Sequence, residues 1–91
     1  MLVNLIEDAL RLGAEAIEIE YKDGEEWVTA FRGNVGIGIA AFSGQEAEPL
    51  FAEFKALKRK KVITIAGTDY CLHFRKHESF GELVYRVEFG A

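Results

Sequence analysis

Cys71 and His73 stand two residues apart with His77 four further on, and thiol and imidazole are the side chains best suited to nucleophilic or metal chemistry. On a strand, residues i and i+2 share a face, so the first two would sit side by side. A structural zinc needs about four ligands and a catalytic one about three plus water. A Cys–His nucleophile pair needs a third group to orient the base. Only carboxylates could complete either set, and no spacing in the chain positions them. Glu18 and Glu20 alternate with Ile17, Ile19 and Tyr21, the pattern of solvated acids on the outer side of a strand. The GxGxA run from Gly36 to Ala40 lacks the context of a phosphate loop, whose glycines lie between a strand and a helix N-terminus. The expectation is a non-enzymatic chain with no cofactor and no metal.

Charged residues offer a different chemistry, that of recognition. Lys55, Lys58, Arg59, Lys60 and Lys61 cluster at the end of a predicted helix, where they complement its negative dipole end and could meet a phosphate or an acidic partner. Farther along, Cys71, His73 and Arg75 alternate with Tyr70, Leu72 and Phe74, and Arg86 and Glu88 alternate with Tyr85, Val87 and Phe89. If the aromatic and aliphatic members are buried, the others share one outer sheet face. Candidate interaction residues are therefore His73, Arg75 and Arg86 on that face, with Lys58 and Arg59 at the helix end.

The elements that would hold these residues follow from hydrophobic period. Leu2, Leu5, Ile6, Ala9 and Leu10 repeat at i, i+3, i+4, i+7, which predicts a helix over Leu2 to Leu12 stopped by Gly13. Strands are predicted for Ala16 to Tyr21, Glu26 to Phe31 and Val35 to Phe42, turning at Asp23-Gly24 and Gly33-Asn34. In the third, Gly36, Gly38 and Ala40 leave one side nearly bare, which would let another backbone approach and could make room for a ligand. A second helix is predicted for about Ala47 to Arg59, with Pro49 in its first turn. Three more strands follow at Lys61 to Ala66, Asp69 to Lys76 and Glu82 to Phe89, with connections at Gly67 and at His77 to Gly81. The expected fold is a single α+β domain over residues 1–91, ordered α-β-β-β-α-β-β-β, with both helices on one face of a mostly antiparallel sheet.

Composition bounds the rest. Ninety-one residues, 49% hydrophobic and 29% charged with one proline, describe one compact domain rather than a disordered chain. No run approaches the roughly 18 apolar residues of a membrane span. Glu7, Asp8 and Arg11 interrupt any signal-peptide pattern, and one cysteine fits a reducing compartment, so a cytoplasmic location is expected. Residues 1–53 hold eleven acids and three bases, and residues 54–91 four acids and eight bases. A net charge of −4 argues against nucleic-acid binding. The split favours a charged protein partner or self-association.

The run Leu2 to Ala14, followed by Ile17-Glu18-Ile19-Glu20, resembles the helix and "GASDIHIEP" motif of the PAS-like N-terminal domain in type II secretion and type IV pilus assembly ATPases. Ile65-Ala66-Gly67 through Leu72 to Gly81-Glu82 and Arg86 is similar to that family's "GGREVDLRVST…GEKVVLRIL". Departures are specific. Glu15-Ala16 and Glu18 replace the motif's Ser-Asp and His, and Tyr21 its proline; Val28 and Ala30 stand where arginines precede an Asp-Gly turn, here Arg32-Gly33; and His73 replaces another arginine. In the family such arginines help sense nucleotide on a neighbouring motor.

The resemblance implies a PAS-like or profilin-like fold and a regulatory domain. The 91 residues contain no Walker lysine loop, so a free-standing relative is expected, docking on a motor, on another pilus or secretion component, or on itself. Two alternatives stand beside that expectation. One is a small-ligand sensor that cups a ligand between sheet and helices, and the other a roadblock-like dimerisation scaffold.

Overall fold

A computed structural model describes residues 1–57 and 60–90. Helix α1 (Leu2–Arg11) is followed by strands β1 (Ala16–Lys22), β2 (Glu25–Arg32) and β3 (Val35–Phe42), then by α2 (Gly44–Ala56), β4 (Lys60–Ile65), β5 (Thr68–Ser79) and β6 (Glu82–Gly90). The strands form one six-stranded sheet, every neighbouring pair antiparallel, in the order β3-β2-β1-β6-β5-β4. The expected α+β class and element order are what the chain adopts.

The first helix ends as its sequence requires. Gly13 takes φ +74°, and the N–H groups of Gly13 and Ala14 donate to the carbonyls of Leu10 and Ala9, a Schellman closure that a side chain would strain. At the other end the Leu2 N–H donates to Glu53 Oε2 at 3.0 Å, so a carboxylate of α2 satisfies an orphan donor of α1. Helix α2 starts three residues before its predicted Ala47. Ser43 accepts from the Glu46 N–H while Glu46 accepts from the Ser43 N–H, a capping box that also lowers the Glu46 carboxyl from its ordinary range. Pro49 is consequently the sixth helical residue and not part of the first turn, and the helix ends at Ala56 rather than Arg59.

Four two-residue hairpin turns set the register. Asp23-Gly24, Ala66-Gly67 and Phe80-Gly81 each have positive φ at both positions, and Gly33-Asn34 at the first alone. These are the I′ and II′ patterns that match strand twist. Phe80 is fully exposed and is a poor choice for φ +51°, since its Cβ crowds the backbone there. The last hairpin is longer than predicted: the segment from His77, expected as a connection, remains strand through Ser79.

Both helices cover the same side of the sheet. Leu5, Ile6 and Ala9 of α1 and Leu50 and Phe54 of α2 pack with Ile17, Ile19, Val28, Ala30, Leu72, Val87 and Phe89. Phe54 is fully buried, with its ring stacked 5.6 Å from Phe74 and 5.8 Å from Tyr85. Each of the leucine, isoleucine, valine and phenylalanine side chains here contributes about 1.5–3 kcal/mol on burial. The space between sheet and helices is filled by protein.

Candidate functional site

The side of the sheet opposite the helices carries the residues with recognition chemistry. Register brings them together from distant parts of the chain. Glu18 of β1 lies opposite Arg86 of β6, Arg86 opposite Arg75 of β5, Glu88 opposite His73, and His73 opposite Lys60 of β4. Their neighbours Leu72, Val87 and Phe89 point into the core, as alternation requires.

Two arginines facing each other across β5 and β6 would repel, and two acids intervene. Arg86 Nη1 donates to Glu18 Oε2 at 2.6 Å, and its Nε lies 3.9 Å from Glu88. Arg75 Nε reaches Glu88 Oε1 at 3.2 Å. The result is a ladder, Glu18–Arg86–Glu88–Arg75, across three strands. Arg86 and Glu18 are only 23% and 21% exposed, and the guanidinium also sits 5.7 Å from the Phe31 ring centroid. Arg75, by contrast, is 71% exposed, and its pair is worth less than about 1 kcal/mol in water. Arg86 is therefore largely occupied in holding the face together. Arg75 and the exposed His73 are the members of the predicted set available to a partner. Lys58 and Arg59 lie outside the described residues.

Cys71 Sγ is 3.6 Å from His73 Nε2, so the predicted side-by-side placement is present. His77 is on the same face but four residues along, about 13 Å at strand rise. Among the described residues, no group of three or more His, Cys, Asp and Glu side chains is arranged to hold a metal ion.

The other half of this face is aromatic. Trp27, Thr29 and Phe31 of β2 lie opposite Glu20, Glu18 and Ala16 on one side, and against Ala41, Gly38 and Gly36 of β3 on the other. A Cβ on Gly36 would come within 2.9 Å of Phe31 Cε1 and 3.0 Å of Thr29 Cγ2, whereas one on Gly38 would sit 3.8 Å from the Trp27 ring. On the open face, side chains of the neighbouring strand thus take the space beside the glycines where a ligand was expected, while Gly36 and Gly38 themselves remain exposed. The sequence reading missed this half. Its signal was available: a two-residue turn at Asp23-Gly24 pairs Lys22 with Glu25 and so puts Trp27 beside Glu20 and Phe31 beside Ala16.

A shallow groove of about 650 Å³ opens on the helix side, lined in part by Tyr21, Glu26, Phe51, Lys55, Glu82 and Tyr85. Partial burial, and then the nearby Glu82 charge, raise the Glu26 carboxyl above its ordinary range. Among the described residues no helix is long and apolar enough to cross a membrane. Compared with protein-family models and with curated protein sequences, the chain matches none.

Proposed function

We propose that this chain is a non-catalytic interaction or regulatory module that acts in the cytoplasm through the open face of its sheet. The observation that supports this reading is the placement of both helices on one side. It leaves a wide face on which a charge ladder and a row of aromatic rings are preassembled, with Arg75 and His73 outermost. Rigid strands carrying paired charges and flat rings suit recognition of a protein surface, where aromatic and arginine side chains dominate binding. The likeness of the helix–strand start and of the final hairpin to the secretion and pilus ATPase N-terminal domain makes a motor component of that machinery the partner to test first.

The test is affinity capture from the native soluble lysate, comparing the wild type with a His73→Glu, Arg75→Glu variant. Arg86 is left intact because reversing it would strand Glu18. Recovery of a secretion or pilus motor by the wild type and not by the variant supports the proposal. Equal recovery by both removes the open face from the interaction, and recovery of no motor by either removes the proposed partner.

A ligand-sensing role has less support, because Phe54, Leu50 and Ile6 fill the space between sheet and helices where a cupped ligand would sit. A small molecule retained in native mass spectrometry, together with a thermal shift on adding it, would reverse that order.

A further inference from the structure

The two edges of the sheet are built differently. Edge strand β4 carries the exposed Lys61, a charge of the kind that discourages pairing with another chain. Edge strand β3, Val35-Gly36-Ile37-Gly38-Ile39-Ala40-Ala41-Phe42, has no charge and no proline, and Val35 and Ile37 are 63% and 46% exposed. Counting from the Arg32–Val35 pair that closes the Gly33-Asn34 turn, Val35 and Ile37 turn their backbone groups towards β2. Gly36 and Gly38 turn theirs outward, with no side chain to obstruct an approaching strand. The ladder stays regular up to the register shift opposite Val28 and Thr29, which leaves Ile39 unmatched.

We infer that β3 is a self-pairing edge: two copies of this chain join antiparallel, β3 to β3, about a two-fold axis at Ile37, and the sheet continues from one copy into the other. The choice of a second copy over a foreign strand rests on symmetry. A two-fold interface must be complementary to itself, and Val-Gly-Ile-Gly-Ile reads the same chemistry in both directions from Ile37. Gly36 of one copy meets Gly38 of the other as a hydrogen-bonded pair, Val35 meets Ile39, and Ile37 meets its own mate across the axis. This inference does not depend on the open-face proposal, and its test uses different residues.

Sedimentation of the purified chain, with far-ultraviolet circular dichroism as a check on folding, compares the wild type with Ile37→Lys and with Val62→Lys on the opposite edge. The wild type and Val62→Lys are expected to dimerise. Ile37→Lys, which sets like charges face to face at the axis, should weaken the dimer at least about tenfold. In a Cys71→Ser background, Ile37→Cys should oxidise to a disulfide-linked dimer, because the pair at the axis is the closely spaced non-hydrogen-bonded kind with Cα atoms about 4.5 Å apart. The more exposed Val62→Cys should not. A monomeric wild type, a dimer unaffected by Ile37→Lys, or equal cross-linking at both positions would overturn the inference. If Ile37→Lys does not fold, the cross-linking pair decides alone.

Discussion

The two halves of the open sheet face are held by different physics. On β1, β6 and β5 the face is a ladder of opposite charges, closed in its half-buried part by the 2.6 Å bond from Arg86 to Glu18 and loosened towards solvent at Arg75. On β2 and β3 it is a layer of rings laid over glycines, Phe31 against Gly36 and Trp27 over Gly38. The halves meet where the Arg86 guanidinium approaches Phe31. A charged residue on an exposed face is not by that fact a free recognition group. Burial decides which member of a ladder is structural, and Arg86 and Arg75 fall on opposite sides of that division.

The largest effect is expected from Arg86→Ala. It removes a charged hydrogen bond from a half-buried acid together with the ring contact, and should cost about 2 kcal/mol in chemical denaturation. A loss no greater than that of Arg75→Ala would mean that the ladder is not graded by burial. Next in size is a contrast within the aromatic half. Gly36→Ala forces a ring or a methyl group to move and should cost about 1 kcal/mol, whereas Gly38→Ala meets ordinary contact distance and should be neutral or stabilising by a few tenths, about the unfolded-state gain of replacing glycine. Equal effects at the two glycines would show that the rings do not hold the positions described.

Arg75→Ala should change stability by less than about 0.5 kcal/mol, and less again at high salt, which screens exposed pairs first. The smallest effect belongs to Glu26: Glu18 is answered by Arg86, whereas Glu26 is raised first by partial burial and then by the Glu82 charge. A carboxyl raised in the folded state contributes stability that is present below its unfolded value and lost as pH rises through the folded one. Glu26→Gln should therefore be slightly stabilising at neutral pH, by under about 0.5 kcal/mol, with the gap closing as pH falls into the carboxylate range. Thermal melts at two pH values check the sign.

Much of the architecture is local and could be read from the chain. The α1 stripe, the alternation in β1, β5 and β6, the Gly13 stop and the hairpin dipeptides depend only on near neighbours, and they give the element order and the inward and outward sides correctly. Boundaries were less legible. Pro49 drew the start of α2 inward, although Ser43 and Glu46 carried the capping-box spacing that places it. Phe80 hid a tight turn, because the first position of a I′ turn ordinarily takes asparagine, aspartate or glycine.

The period of each element, most of its turns and the side on which each residue stands are thus written in the order of near neighbours along the chain. Which strands become neighbours is settled only when the whole chain packs. Glu18 and Arg86 are 68 residues apart, and nothing local joins β1 to β6. That pairing assembles the ladder, brings Arg86 to Phe31, and leaves β3 and β4 as edges. It is set by how two hydrophobic faces share one pair of helices, a condition on the whole chain at once.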